Sequence, residues 1–389
     1  MDSQLYVKGK RELYNLLDEI KSYKYLYIYS AGNRAKEIVQ MRKIGFLDIP
    51  LPSGFLVTEM KGNRECIDNP VQIDGIPVCV LGECDEAPDL DDTVVFVTAM
   101  EHYHHDIRQN LAGSRFHHIC YLSDVMERIL VADCMKYYFE QCGIPFTMTD
   151  MMDTDVKIIP RSSTPVSVMT YMVQSAKDEK LSEERAPRDW VTPLQAGAAL
   201  AKERVLEVTD ADGDNISEQN TYYNEMTGLY WVWKNTDWDV TGICHYRRQF
   251  ESSIVLQPVL DGDADVVLPM PALVYPDLRG YYRNWGEDEY YQIMLEVIKE
   301  RHSGYYETAV WCASHSIFFP NNIFLARKAV LDDYGLFAFD VIEETEKRAA
   351  ECGCKKQARC WQSEHITTIY FMKHIRHYRI VFSNLRRFW

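Results

Sequence analysis

The sequence predicts an α/β protein of two domains, in which helices pack against sheets that contain parallel strands. Its 389 residues exceed the usual size of one hydrophobic core. Short apolar segments typical of buried strands alternate along the chain with amphipathic helical segments. A stretch rich in proline and serine at 160–165 interrupts this alternation, which starts again at Val166. We therefore expect one domain over residues 1–155 and a second over residues 165–389.

The composition is that of an ordinary globular protein and excludes some classes of partner. A net charge of −16 argues against general nucleic-acid binding, which needs a basic surface. No apolar run is long enough for a transmembrane helix, and residues 1–17 lack the apolar core of a secretory signal. The 11 cysteines are scattered and odd in number, which is typical of reduced thiols. The sequence therefore predicts a cytoplasmic protein.

The first domain contains a strand, a turn and a helix in close succession. The strand YLYIYSAG is followed by NRAKEIVQMRKIG, whose apolar positions have helical spacing. Further strands are predicted at 54–58, 78–81, 93–98 and 118–121, and helices at 8–22 and 103–112. Strands that alternate with helices predict a Rossmann-like domain with a parallel sheet.

The turn after the first strand carries only a weak signal for a dinucleotide. The stretch SAGNRA has one glycine, Gly32, where the dinucleotide fingerprint needs three. We therefore favour an accessory lobe, either structural or sensing sugar nucleotides, over a redox domain.

The second domain contains an acid-rich turn, TDADGDNISEQN, at 209–220. Aspartates alternate there as in a calcium-binding loop, but the glycine and the glutamate that such a loop requires are absent. What remains is a carboxylate and amide cluster of Asp212, Asp214 and Asn215. Ser217 is a predicted helix N-cap after this cluster.

A single helix is predicted over residues 218–234. Its aromatic and aliphatic positions are spaced for a core face, and Asn220 and Glu225 lie on or near another face. Both are candidates for binding a ligand, although most glutamates on helices are merely solvated.

The next strand, 240–244, ends in His245, Tyr246, Arg247 and Arg248. Two adjacent arginines offer permanently charged, bidentate groups that suit a diphosphate. We predict that this HYRR segment neutralises the charge of a leaving group directly. The alternative is a surface arginine pair held in structural salt bridges.

No protein metal site is predicted. The histidines within 102–118 and the cysteines within 352–360 lack the spacing of metal ligands. The D-x-D sequence at 263–265 precedes a strand instead of following one, so we interpret it as a turn. A divalent cation, manganese or magnesium, is left open as a cofactor.

The second domain resembles a known family through five blocks of sequence. In chain order they are GDNISEQNTYYNEMTGLYWVWKN, GICHYRRQF, ADVVLPMP, NNIFLARK and SEHITTIYF. The family was first catalogued as a domain of unknown function in capsular-polysaccharide loci and is associated with galactofuranosyltransferase-type glycosyltransferases. The resemblance covers about residues 165–389 and implies a GT-A-like fold, a UDP-sugar donor and a glycan acceptor. The chain departs from the family pattern at 275–291, where a histidine-bearing acceptor segment is expected.

Glu364 is the predicted general base. An inverting sugar transfer needs a carboxylate that removes the proton of the acceptor hydroxyl. Glu364 follows Ser363 at a predicted helix start, where a carboxylate can be held in place. A capping role, which the helix dipole favours, is equally open.

The last segment, 373–389, is basic and rich in aromatic residues. It predicts either a final strand with a solvated tail or a peripheral contact with an anionic membrane surface, where a lipid-linked acceptor would lie.

The family resemblance implies a transfer of galactose or galactofuranose from a UDP-sugar to a lipid-linked or oligosaccharide acceptor of a surface polysaccharide. The predicted catalytic residues are Glu364, Arg247 and Arg248. The predicted donor-binding residues are Asp212, Asp214, Asn215, Asn220, Glu225, His245 and Tyr246. For these to act together, the turn at 212–215 and the segment at 245–248 must meet in one pocket. The alternatives are a non-catalytic sugar-nucleotide or glycan-binding protein, and an oxidoreductase or epimerase acting through the first domain.

Overall fold

The structure, a computed structural model, divides the chain into two compact units. It describes residues 3–59, 72–82, 89–149, 161, 165–178, 181, 187–283, 288–354 and 359–388. The first unit comprises Asp2–Cys142 with Leu273–Pro276, and the second comprises Gly143–Ala272 with Asp277–Trp389. Residues 143–149 therefore belong to the second unit, where Met148 bridges Phe382. The boundary that we expect between 155 and 165 falls mostly outside the described residues.

The first unit has a six-stranded sheet in the order β3-β4-β2-β1-β5-β6. Every neighbouring pair is parallel except β3 and β4. All residues of β5, an interior strand between β1 and β6, are buried, as expected for a parallel sheet covered on both faces. The strands are β1 (Tyr25–Tyr29), β2 (Pro52–Val57), β3 (Gln72–Ile73), β4 (Ile76–Val80), β5 (Thr93–Val97) and β6 (His118–Tyr121), and the helices are α1 (Ser3–Lys21), α2 (Asn33–Lys43), α3 (His104–Ala112) and α4 (Asp124–Gln141).

The second unit is built on a mixed sheet. The strands of this sheet are β7 (Val168–Ser175), β8 (Val191–Ala196), β9 (Val240–His245), β10 (Arg248–Phe250), β11 (Val266–Pro269), β14 (Phe324–Arg327), β15 (Ile380–Ser383) and β16 (Leu385–Arg387). Strands β12 (Ala272–Leu273) and β13 (Ile317–Phe318) form a separate two-stranded sheet. Strand β9 lies between β14, which is antiparallel to it, and β7, which is parallel. Strand β8 is in turn parallel to β7. The carboxyl ends of β7, β8 and β9 therefore meet at one edge of the sheet.

Helices cover this sheet, and the predicted α/β class is confirmed in both units. They are α5 (Asn220–Tyr223), α6 (Met226–Asn235), α7 (Leu256–Leu260), α8 (Leu278–Arg283), α9 (Asp288–Arg301), α10 (Ser303–Ala313), α11 (Lys328–Glu351) and α12 (Arg359–His374). Within the described part of the chain, no helix combines the length and apolar character needed to cross a membrane.

Three local predictions are wrong. The single helix at 218–234 is broken at Asn224, whose φ of 43° and ψ of −124° are incompatible with a helix. Ser217 does not cap a helix, because it lies inside a 3-10 turn and its Oγ atom accepts from the backbone N–H of Ala199 at 3.0 Å. Helix α12 begins at Arg359, so Glu364 lies in its second turn and not at its start.

The basic C-terminal segment contributes strands to the second sheet. Strand β15 is parallel to β11, and β16 is antiparallel to β10. Arg379, which precedes β15, forms an ion pair with Asp265 at 2.6 Å.

Candidate functional site

A cavity of about 840 Å³ lies at the carboxyl ends of β7, β8 and β9. The register of the three strands brings Ser175 beside Ala196 and Val173 beside His245, and all four residues line the cavity. In open α/β sheets, ligands bind outside the carboxyl ends of parallel strands. The volume is within the usual range for sites that bind small molecules.

One wall of the cavity is the loop after β8, which a buried glutamine holds in place. The Gln195 side chain accepts from the backbone N–H of Val205 at 2.7 Å and donates to the carbonyl of Glu203 at 3.1 Å. Lys202 and Glu203 of this loop line the cavity. The wall is thus fixed by the same strand whose end forms the cavity floor.

A fully buried carboxylate, Asp210, joins this loop to the helical segment opposite. It accepts hydrogen bonds from the backbone N–H groups of Gly197 and Ala198, at 2.8 and 3.1 Å, and from the hydroxyls of Ser217 and Thr227, at 2.5 and 2.6 Å. Four donors satisfy a buried charge that would otherwise be costly. Asp210 therefore fixes the distance between the two sides of the cavity.

Asn220 reaches the cavity because of a close approach at Gly197. The backbone of Gly197 has φ 67°, and a Cβ atom there would lie 2.4 Å from Asn220 Oδ1. The Asn220 side chain donates to Thr227 Oγ1 at 2.9 Å and lines the cavity. Glycine at 197 is required both by its backbone conformation and by this contact.

The break between α5 and α6 brings Glu225 to the cavity. Because Asn224 leaves the helical conformation, Glu225 occupies the N-cap position of α6, and both residues line the cavity. Its Oε1 atom accepts a hydrogen bond from Asn322 Nδ2 at 2.7 Å and lies 4.0 Å from His245 Nε2. Glu225 is 17% exposed, so its carboxylate borders the cavity without being freely solvated.

Asn322 belongs to a turn with two successive left-handed residues. Asn321 and Asn322 have φ values of 72° and 51°. The fully buried Asn322 side chain also donates to Ser363 Oγ at 2.8 Å, and its Oδ1 accepts from Thr367 Oγ1 at 2.7 Å. Helix α12 thereby holds the turn that contacts Glu225.

Glu364 lies behind Glu225 and is not among the residues that line the cavity. Its carboxyl accepts a hydrogen bond from the backbone N–H of Asn321. Burial raises the pKa of Glu364 to about 8, and the nearby charge of Glu225 adds to this effect. The Asn321 N–H and the charge of Arg248 oppose the rise only in part. Glu364 is therefore mostly protonated at neutral pH.

His245 is the last residue of β9 and faces Glu225. Burial lowers the pKa of His245, the charge of Arg248 lowers it further, and the charge of Glu225 opposes both. The imidazole is therefore neutral near pH 7. Among the described residues, its Nε2 atom has no hydrogen-bond partner.

The remaining HYRR residues have different surroundings. Tyr246 lines the cavity, and burial, followed by the charge of Asp178, raises its pKa. Arg247 is exposed, with its guanidinium 5.1 Å from the centre of the Tyr246 ring. Arg248 lies in β10 opposite Arg387. Neither arginine is among the residues that line the cavity.

The acid and amide turn does not reach the cavity. Asp212 accepts from Arg204 at 2.9 Å, and Asp214 accepts from the Tyr230 hydroxyl at 3.1 Å. Asn215 donates to the carbonyl of Ala211 at 3.1 Å. The sequence predicts that 212–215 and 245–248 meet in one pocket, but this cavity is lined by His245 and Tyr246 and by none of residues 212–215.

Within the described ranges, no cluster of three or more His, Cys, Asp or Glu side chains could hold a metal ion. The D-x-D sequence before β11 has a structural role, because Asp265 pairs with both Arg379 and Arg327. His104 contacts the carbonyl of Ala99 at 2.9 Å. Of the cysteines within 352–360, Cys360 lies where the structure describes no side chain.

Comparison with known proteins assigns a family to the chain. The chain belongs to the family described as "Domain of unknown function (DUF4422)", which matches residues 180–375. Its structure is similar to that of the WbbM bifunctional glycosyltransferase in the apo state, with 23% sequence identity and a TM-score of 0.49. That similarity covers 57% of this chain and 45% of WbbM, so the chain spans less than half of that protein. No curated protein matches the sequence.

Proposed function

We propose that this protein is a glycosyltransferase that moves a sugar from a UDP-sugar to a glycan acceptor. The observation that supports this most directly is the cavity at the ends of three parallel strands, in which the Glu225 carboxylate lies 4.0 Å from the His245 imidazole. A carboxylate at the cavity wall can accept the proton of a substrate hydroxyl, as general base catalysis requires. The family resemblance favours galactose or galactofuranose as the sugar.

The donor lies in this cavity in the proposed complex. Lys177 follows β7 and Lys202 follows β8, and both line the cavity, where their charges attract a diphosphate. Asn220 offers an amide to the ribose or the sugar, and Tyr246 offers an aromatic ring for stacking. Of the sequence-predicted donor-binding residues, four line the cavity: Asn220, Glu225, His245 and Tyr246.

The other residues that the sequence predicts for the site do not contact the donor in this proposal. The charge of Arg248 acts on His245 and Glu364, and Arg247 borders Tyr246. A divalent cation, manganese or magnesium, would be held chiefly by the diphosphate itself. Asp212, Asp214 and Asn215 keep the turn before α5 in shape.

The acceptor in this proposal is an oligosaccharide or a lipid-linked glycan of a surface polysaccharide. Arg386 and Arg387 are exposed on β16 and would face anionic lipid. Flotation with vesicles that contain phosphatidylglycerol tests this contact. Replacing both arginines with glutamate should abolish flotation, and unchanged flotation would remove the membrane contact from the proposal.

A donor screen tests the proposed activity. Purified protein is mixed with UDP-, GDP- and dTDP-sugars, with and without manganese, and thermal unfolding is followed, because ligands of the native state raise the melting temperature. Release of UDP in the presence of an acceptor then separates a transferase from a binding protein. Stabilisation by UDP-galactose with UDP release supports the proposal, whereas stabilisation without release favours a non-catalytic sugar-nucleotide-binding protein.

A further inference from the structure

Glu225 and Glu364 differ in their access to the cavity. Glu225 lines it, and Glu364 does not. The two carboxyls are close enough for the charge of Glu225 to affect Glu364. A group that takes a proton from a substrate must come within hydrogen-bonding distance of it. Only Glu225 of the two meets this condition.

The orientation of the Glu225 carboxylate is fixed by one amide. Asn322 Nδ2 donates to Glu225 Oε1 at 2.7 Å and to Ser363 Oγ at 2.8 Å, while Asn322 Oδ1 accepts from Thr367. A carboxylate can only accept, so the nitrogen of the amide must face it. With both amide hydrogens and the oxygen engaged in a fully buried position, the Asn322 side chain cannot flip.

The backbone on both sides of this hydrogen bond is unusual. Asn224 precedes Glu225 with φ 43°, and Asn321 and Asn322 have φ 72° and 51°. Residues other than glycine persist in such conformations where the surrounding structure fixes them, and they are frequent at functional sites. Here they orient a carboxylate and an amide toward each other.

His245 lies beside Glu225 but does not offer a group to the substrate. Its Nε2 atom is 4.0 Å from the Glu225 carboxylate and is buried, with no hydrogen-bond partner among the described residues. The hydrogen bond between the ring and the Asn321 backbone therefore involves Nδ1, which leaves Nε2 of the neutral imidazole without a proton to donate. Glu225, which lines the cavity, is the carboxylate that a substrate hydroxyl can reach.

We propose that Glu225 is the catalytic base of the transfer and that Asn322 is the residue that positions it. This assignment rests on the proposed function. The acceptor O–H bond breaks and its proton goes to Glu225. The acceptor oxygen forms a bond to the anomeric carbon of the donor sugar, and the bond from that carbon to the phosphate oxygen breaks. Its electron pair leaves on the nucleoside diphosphate.

Glu364 has a different part in this scheme. Because burial raises its pKa to about 8, it keeps its proton at neutral pH and does not compete as a base. A protonated Glu364 next to Glu225 avoids a second negative charge in the same pocket. Its role is to support the charge of Glu225.

The test compares Glu225→Gln and Glu364→Gln at pH 7 with UDP-galactose and acceptor. Glu225→Gln should lower kcat by 10²- to 10⁴-fold, the usual effect of general base catalysis, with UDP affinity changed less than threefold. Glu364→Gln should retain at least a tenth of the wild-type kcat. Glu218→Gln, an exposed glutamate before α5, is the matched control and should keep full activity. A hundredfold loss in Glu364→Gln, or less than a tenfold loss in Glu225→Gln, would overturn the assignment.

The positioning role of Asn322 is tested by a measurement that would not change if Asn322 only stabilised the fold. Asn322→Gly suits the left-handed backbone and removes the amide, and Asn322→Asp keeps the shape and adds a negative charge. Both should lower kcat at least tenfold while UDP affinity changes less than threefold, because the Glu225 carboxylate is no longer held where it accepts the hydroxyl proton. A parallel loss of UDP affinity and of melting temperature, with kcat unchanged, would refute the positioning role.

Two different outcomes separate a wrong assignment of Glu225 as the base from a wrong proposed function. A wild-type chain that releases no UDP with any donor and acceptor removes the proposed function, and this assignment with it. An active wild type with an active Glu225→Gln variant leaves the proposed function standing and removes only the assignment.

Discussion

Asp210 accepts a hydrogen bond from Thr227 Oγ1 at 2.6 Å, which ties the acid-rich turn to the first turn of α6. Both residues are buried. The same carboxylate also accepts from two backbone N–H groups of the opposite loop. Asp210 therefore has a structural role in this turn. It precedes Asp212 and Asp214, which the sequence suggests as ligands.

Replacing Asp210 with alanine should destabilise the second unit by about 3–5 kcal/mol, because four buried donors lose their acceptor. Urea denaturation followed by tryptophan fluorescence measures the loss. Asp212→Ala is the control, since Asp212 is 58% exposed and its ion pair with Arg204 should contribute less than about 1 kcal/mol. Equal losses in the two variants would contradict the role given to Asp210.

Gly242 in β9 should not tolerate a side chain. A Cβ atom there would lie 1.9 Å from the carbonyl oxygen of Phe324, a backbone atom that cannot move without separating β9 from β14. Gly242→Ala should cost more than about 3 kcal/mol or prevent folding. Gly304→Ala in α10, where no atom lies within 4 Å, should gain about 0.5 kcal/mol. A neutral Gly242→Ala in thermal unfolding would show that the sheet adapts.

The pKa of Glu364 predicts a pH dependence of stability. Its folded-state pKa of about 8 exceeds the ordinary value of 4.5, so the folded state binds more protons between these values. Its contribution is therefore fully present below pH 4.5 and is lost as the pH rises toward 8. The free energy of unfolding should fall by roughly 2–4 kcal/mol over this window through this group. Glu364→Gln should remove that slope in urea titrations, and Glu218→Gln should retain it.

Lys177 and Lys202 should contribute to diphosphate binding. Each lines the cavity and is exposed, so each alanine substitution should weaken UDP binding by about 3- to 10-fold, less at high salt. Isothermal titration at two salt concentrations checks this. Lys347→Ala, an exposed lysine of α11 outside the cavity lining, is the control. Unchanged UDP affinity in both cavity variants would place the diphosphate elsewhere.

Sequence patterns correctly predicted those elements whose formation depends on residues close together in the chain. The apolar runs at β1, β5 and β9 were correctly predicted as strands, because the pattern of apolar residues depends directly on which residues are buried. The helix at 218–234 was predicted without its break, because Asn224 is an ordinary residue in sequence and its conformation depends on contacts of the folded chain.

The candidate site was only partly predictable for the same reason. Asn220, Glu225, His245 and Tyr246 were predicted as ligands, and all four line the cavity. The partner that orients Glu225 lies 97 residues away, so neither spacing nor composition indicates that pair. Asn322 carries only one sequence signal, an Asn-Asn pair after a proline, which is typical of any turn.

The contacts of Asn322 also predict the order in which parts of the chain fold. They reach back 97 positions to Glu225 and forward 41 to Ser363. Contacts between distant positions require large loops to close and slow the search for the native topology. We expect the cavity wall to be completed at a late step of folding, after β9 and β14 have paired. Refolding followed by UDP binding should therefore lag behind refolding followed by circular dichroism.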